Sequence, residues 1–275
     1  MVKPHATPLA AERSRNTQFM EQQLSSQKAA FDFLYETDQA RLEYHDTSDP
    51  LIRYLTGRRI NLAMGRLRRI VNDSLSGWTA LVTCGGLGGD GTLLANLGLR
   101  EVTVSDISTV ALRACRERDS RLKTMELDAE SLDLPDNSVD LSLVQDGLHH
   151  LRRPVLGFTE MLRVSRRAVI VIEPHAGIVA SVLGQVWEMN AGVENYVFRW
   201  DARLLREATR SYLMHGAQVY PMRIWDHNVT LARAGARLGG GAAATAFVNA
   251  SYALLSAPGI RNLGNMMIGV VLKKS

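Results

Sequence analysis

The segment Gly85-Gly86-Leu87-Gly88-Gly89-Asp90-Gly91 follows directly on the β-type run Thr79–Thr83 and precedes a helical stretch. A chain that leaves a strand, turns tightly and lets backbone N–H groups approach a ligand needs residues without Cβ at that point. Read literally, Gly86 to Gly91 also spells GxGxxG, the dinucleotide fingerprint, which is a weak signal when it stands alone. Context strengthens it: Asp106 stands at the end of the next β-type run. A carboxylate placed there accepts hydrogen bonds from the hydroxyls of an adenosine ribose. The plainer readings are a flexible loop for the glycines and a helix N-cap for Asp106.

Around this turn the chain alternates. β-rich runs at Thr79–Thr83, Glu101–Ser105, Leu122–Leu127, Val139–Gln145 and Ala168–Glu173 are separated by helical patterns near Thr92–Leu97, Ser108–Asp119 and Val155–Val164. Such alternation predicts βαβ units, and Val169-Ile170-Val171-Ile172 has the composition of a strand buried on both faces. Later helices are expected at Ile178–Met189 and Asp201–Tyr212, and later strands at Gln218–Arg223 and Met266–Leu272. The fold class is therefore α/β, a Rossmann-like, seven-stranded, mostly parallel sheet with helices on both faces. Ahead of it, Thr17–Arg41 and Asp49–Ser74 carry apolar residues at helical spacing, with Asp49-Pro50 as N-cap and first turn. In the second stretch Leu51, Leu55, Leu62, Leu67, Ile70 and Val71 make the stripe. Its arginines, Arg59 among them, read as a solvated surface or as a rim attracting an anionic substrate. Residues 1–15 read as a flexible arm.

With 275 residues, 46% of them hydrophobic, the chain can bury a full core. A net charge of +4 is too small to imply a nucleic-acid partner. Two cysteines, Cys84 and Cys115, form no disulfide framework, and no Cys/His cluster has metal-ligand spacing, so no metal is expected and a reducing cytoplasm fits. The alanine-rich stretch Ala242 to Pro258 is too short and too polar to span a bilayer, so no membrane partner is expected. The N-terminal helical stripes suit either the rest of the chain or a second copy in a homo-oligomer.

Five segments taken in order carry a resemblance: Ala80 to Gly86, Val104 to Ser108, Leu127 to Leu132, Leu134 to Asp140, and Gly147 to Leu151. Together they resemble successive motifs of the class I S-adenosylmethionine-dependent methyltransferases that act on small molecules. The resemblance spans about residues 78 to 175 and implies S-adenosyl-L-methionine as cofactor. It implies that Gly85, Gly86 and Gly88 hold the methionine part, and that Asp106 and Ile107 meet the ribose. Asp128 and Ala129 would read the adenine, with Gln145 and Asp146 lining the pocket. Where the family has an acid at the end of the first strand this chain has Thr83, which leaves Asp146 or Asp90 to take the amino group. Domain organisation follows as an arm (1–15), an N-terminal helical cap (16–75) and the catalytic domain (76–275), with an acceptor-pocket insertion around 176–265.

A sulfonium is already an activated methyl donor, so the protein chiefly aligns the acceptor and removes its proton. His149 and His150 follow the fourth strand, and Glu173 closes the fifth; each is a candidate base, and Glu173 equally suits orienting a histidine. His175, Trp187, Tyr196 and Trp200, together with Tyr35 and Tyr54 of the N-terminal helices, are candidates for the walls of a small-molecule acceptor pocket, with a core role as the plainer reading for the aromatics. The acceptor class expected is a secondary metabolite. The same glycine turn and acid also serve a nicotinamide-dependent oxidoreductase or a non-catalytic S-adenosylmethionine-binding protein. Nucleic-acid methylation is disfavoured, because Gln145-Asp146-Gly147-Leu148 lacks the proline-aromatic segment of base-amino methyltransferases.

Overall fold

The computed structural model describes residues 8–36, 50–178, 182, 184, 186–190, 193–226, 234, 237 and 241–274. Two helices come first, α1 (Pro8–Glu36) and α2 (Pro50–Val71). Helix α1 begins inside the segment expected as an arm; residues 1–7 and the expected cap Asp49 lie outside the described residues.

The core sheet comprises β1 (Thr79–Val82), β2 (Glu101–Asp106), β3 (Lys123–Glu126), β4 (Val139–Gln145), β5 (Ser165–Pro174), β8 (Ala217–Ile224) and β9 (Met266–Lys273). Their order is β3-β2-β1-β4-β5-β9-β8, a seven-stranded sheet as expected. Strands β1 to β5 run parallel, and β9 is antiparallel to both β5 and β8. Val82 pairs with Val104 and with Leu143, which brings the C-terminal ends of β1, β2 and β4 to one edge.

Period-two alternation splits the core between the faces. In β5, Ile170 and Ile172 pack with Ile60, Met64 and Leu67 of α2, on the face that also holds Leu94 of α3 (Gly89–Asn96) and Leu112 of α4 (Thr109–Arg118). Val169 and Val171 turn the other way, onto Phe158 and Leu162 of α5 (Pro154–Val164) and Leu205 of α6 (Ala202–Leu213). Local chemistry starts the helices where expected. Ser108 caps α4 by accepting from Ala111 N at 3.0 Å, Asp201 caps α6 by accepting from Leu204 N at 2.7 Å, and Pro154 opens α5.

One expectation is corrected. Ile178–Met189 is not one helix: Trp187–Asn190 is strand β6, paired antiparallel with β7 (Val193–Tyr196). Within 176–265, α6 and β8 belong to the layers of the main sheet, while the β6–β7 hairpin stands apart as its own two-stranded sheet. The alanine-rich segment is helix α7 (Gly241–Leu255), whose Ala244, Val248 and Tyr252 bury against Leu55 of α2. No helix among the described residues is long and apolar enough to cross a membrane. Helix α1 packs on α4 and on the hairpin, so it lies across the edge where the strand ends converge.

Candidate functional site

The turn after β1 is shaped by contact and by backbone sign. Gly86 and Gly88 have φ of 48° and 80°, in the left-handed region that favours glycine. A Cβ on Gly85 would lie 2.6 Å from Val104 Cγ1, and one on Gly88 would lie 2.3 Å from Cys115 Sγ. The glycines thus let the loop sink onto β2 and α4. Gly85 N donates to Ser105 O (2.8 Å), and Gly86 N donates to Asp106 Oδ2 (2.9 Å). The other oxygen of Asp106 accepts from Ser108 N at 2.9 Å. Burial raises the pKa of Asp106, while the Ser108 and Gly86 amides act in the opposite direction.

Further along the edge, Asp128 Oδ1 accepts from Glu130 N (2.9 Å), and its Oδ2 pairs with Arg152 at 2.6 Å. Ala129 beside it is buried. At the end of β4, Gln145 Nε2 donates to Asp90 Oδ1 at 3.2 Å. Burial pushes the Asp90 carboxyl up to about 7, against the pull of Arg59. Asp146 has a left-handed φ of 52° and pairs with Arg59.

Arg59 is placed differently from both readings of the helix arginines. It is buried in α2, with Nη1 2.5 Å from Asp146 Oδ2 and Nε 2.9 Å from Asp226 Oδ2, so it is no solvated arginine. Burial opposes its charge, and Asp146 and Asp226 outweigh that opposition, raising its pKa. Tyr35 of α1, expected as an aromatic around the acceptor, stands instead at the glycine turn. A Cβ on Gly86 would lie 2.9 Å from its hydroxyl, and burial followed by the Asp106 carboxylate raises the phenol pKa. Asp32, one turn back, accepts from Ser108 Oγ at 2.6 Å. Helix α1 therefore closes over the glycine turn and the tip of β2.

The histidines sit on a 3₁₀ turn (Leu148–His150) after β4. Glu173 is fully buried at the end of β5; its Oε1 accepts from Gly147 N (2.9 Å) and Leu148 N (2.7 Å), and its Oε2 lies 2.7 Å from His149 Nδ1. Both carboxylate oxygens of Glu173 are thus engaged, one by two backbone amides and the other by the His149 ring. Burial alone lowers the pKa of His149, but the Glu173 charge and hydrogen bond outweigh it and raise it to about 9. For His150, burial and the neighbouring His149 lower the value to about 3. Gln27 of α1 donates to the His150 carbonyl, and the Phe31 ring meets the His150 ring edge-on with centroids 5.8 Å apart.

A cavity of about 560 Å³ opens beside this turn, walled by α1 (Phe19, Gln23, Gln27), by His149 and Arg152, and by the hairpin. Trp187 and Tyr196 face each other across the hairpin, with centroids 5.6 Å apart, and both line the cavity. Trp200 and His175 are brought elsewhere. Trp200 is fully buried edge-on to Phe158 and Phe198, a core position, and His175 is buried in backbone pairing with it; neither lines this cavity.

Residues 82–172 match the family profile described as a methyltransferase domain. Among solved structures, the fold is similar to that of an S-adenosylmethionine-dependent methyltransferase from Thermotoga maritima, at 13% identity over 90% of this chain and 99% of that one, with a TM-score of 0.56. It is also similar to magnesium protoporphyrin IX methyltransferase of Synechocystis PCC 6803, solved with bound S-adenosylhomocysteine (13% identity, 86% of this chain, 94% of that one, TM-score 0.55). A third similar structure is phosphoethanolamine N-methyltransferase 2 of Haemonchus contortus in complex with S-adenosylmethionine (16% identity, 78% of this chain, 53% of that one, TM-score 0.53). No curated protein matches this chain in sequence. Residues 82–172 thus match a methyltransferase domain, and the fold around them is one shared with S-adenosylmethionine-dependent methyltransferases.

Proposed function

We propose that the chain transfers the methyl group of S-adenosylmethionine to a small-molecule acceptor, of the secondary-metabolite class, held in the cavity between α1, the His149 turn and the β6–β7 hairpin. The observation that carries this reading is the meeting of two elements at one edge: the amide of Gly86 in its glycine turn and the carboxylate of Asp106 at the tip of β2.

The residues present suit the cofactor. The turn at Gly85, Gly86 and Gly88 brings bare backbone to the strand ends. Thr83 Oγ1 and Gln145 Oε1 are buried there without a hydrogen-bond partner among the described residues. Buried polar atoms left unpaired are costly, so a polar ligand that reaches them relieves the cost. In this reading Asp106 and Ile107 meet the ribose, Asp128 and Ala129 the adenine, and Gln145 the methionine end. Asp90 is better suited than Asp146 to the cofactor's ammonium, because the Asp146 carboxylate is already committed to Arg59. The bound cofactor supplies an electrophilic methyl group.

What remains for the protein is to place the acceptor and take its proton. His149 does the second in this reading in its neutral form, with Glu173 fixing the ring through Nδ1 and leaving Nε2 as the working atom; because Glu173 holds the imidazole up to about 9, the base form and the activity that depends on it increase toward alkaline pH. The aromatics Trp187, Tyr196 and Phe19, together with the amides Gln23 and Gln27, suit an acceptor that has both a ring and hydroxyl groups. Two assays test the proposal. Mass spectrometry of the purified chain is expected to find S-adenosylmethionine or its demethylated product, and methyl-labelled cofactor is expected to label phenolic or glycosidic acceptors. Finding a nicotinamide dinucleotide in that place overturns it.

A further inference from the structure

The geometry points to a divalent transition-metal site formed by His149 Nε2, His150 Nδ1 and the carboxylate of Glu188. His149 Nε2 lies 3.7 Å and His150 Nδ1 3.8 Å from the same oxygen, Oε2 of Glu188. One ligand atom from each of the three residues falls within a common span of 4.8 Å. Bonds of about 2.1 Å to a tetrahedral zinc ion put its donors roughly 3.4 Å apart, so the two distances to the Glu188 oxygen need to close by only a few tenths of an ångström. Glu188 sits part-exposed on β6, and a side-chain rotation supplies that movement.

Two imidazoles and one carboxylate form a donor set that suits zinc and its first-row neighbours. The surroundings are also those of a metal ligand. A ligating histidine characteristically donates its second ring N–H to a carboxylate, which fixes the tautomer and presents the other nitrogen to the ion. Glu173 stands in that place, 2.7 Å from His149 Nδ1, and two backbone amides hold it rigid. The two histidines come from the turn after β4, and Glu188 from the hairpin, so an ion here ties the hairpin to the sheet. Three protein ligands leave a further coordination position, and His149 lines the acceptor cavity. An ion on Nε2 excludes a proton from that nitrogen. A chain loaded with metal therefore engages an acceptor hydroxyl by coordination, which lowers the hydroxyl's pKa so that its proton passes to solvent water and not to the imidazole.

Pairwise spacing in sequence concealed this set, because Glu188 is distant in the chain from His149-His150 and falls in a segment that reads as helix. The site does not depend on the methyl-transfer reading, and binding of zinc can be measured with no cofactor or acceptor present. Calorimetric titration of the tag-free chain, stripped with chelator and desalted, with zinc chloride is expected to show one saturable site. Cobalt(II) in its place is expected to give a visible d–d absorption band. Glu188→Gln should weaken zinc at least tenfold and abolish the band, His150→Ala should do the same, and Glu194→Gln on the same hairpin should bind as wild type. Absence of saturable zinc heat in the wild type, or equal affinity in Glu188→Gln, overturns the site and reduces Glu188 to an ion-pair partner of the histidines. Equal loss in Glu194→Gln also overturns it, since general acidity of the hairpin then explains the binding.

Discussion

Arg59 reaches Asp146 at the end of β4 across 2.5 Å and Asp226 just beyond β8 across 2.9 Å, from a position buried in α2. One guanidinium thereby fixes α2 to two loops of the edge where the glycine turn lies. Removing it leaves Asp226 buried without its cation, whereas Asp146 is part-exposed and screened by water. Arg59→Met is therefore expected to cost about 3 kcal/mol, the lower end for breaking a buried pair. Denaturant titration checks this, and the double variant Arg59→Met/Asp226→Asn should recover more than half of the loss, because the stranded charge is gone.

Asp90 gives the pH dependence its sign. Its ordinary value is 3.8, and burial raises it to about 7 in the folded chain. The folded state therefore holds the proton more tightly. The stability contributed by Asp90 is fully present below about pH 4 and is lost as the pH rises through 7. Denaturation midpoints at pH 5 and pH 8 should show this decline in the wild type and a smaller one in Asp90→Asn.

Two glycines with left-handed backbone separate conformational strain from crowding. Gly98 has φ of 87° and open space where a Cβ would go, so Gly98→Ala pays the backbone cost alone, about 1 kcal/mol. Gly88 has φ of 80°, and its added Cβ would lie 2.3 Å from Cys115 Sγ and 3.3 Å from Leu122 Cδ1. Gly88→Ala should lose about 1–3 kcal/mol more than Gly98→Ala by overpacking. Thermal or chemical unfolding of the pair measures the difference directly.

The Glu173–His149 pair makes a spectroscopic prediction for the metal-free chain. Its charge and hydrogen bond hold the imidazole up to about 9 despite burial. Glu173→Gln removes the charge, and NMR titration of the His149 ring should show the pKa lowered by at least about one unit. An unchanged value would remove Glu173 as the source of the shift.

Much of the fold is legible in the sequence because each central strand faces two buried layers and so reads as a short apolar run between turn signals. Val139–Gln145 carries the expected bounds, and β5 extends the expected run at both ends. The hairpin is not legible in this way. Trp187 and Tyr196 stabilise it by meeting across strands of four residues each, too short for alternation to outweigh the helical spacing upstream. The glycine turn and Asp106 are legible because backbone geometry demands those residue types. Arg59 is not, since arginines surround its helix and only packing selects the one that is buried. Tyr35 is legible only as an aromatic for the pocket, and its place at the glycine turn is not: periodicity shows that α1 has an apolar stripe but says nothing about where it docks. Trp200 belongs to the core, because Phe158 and Phe198 close on both sides of it.

Calorimetric titration of S-adenosylmethionine into the wild type and into Asp106→Ala is the most direct measurement of the account. A saturable one-to-one heat is predicted for the wild type. A loss of about tenfold to a hundredfold in affinity is predicted for Asp106→Ala with unchanged far-ultraviolet circular dichroism, the size expected for a charged hydrogen-bond partner. No heat from the wild type, or the same affinity in both, would contradict it.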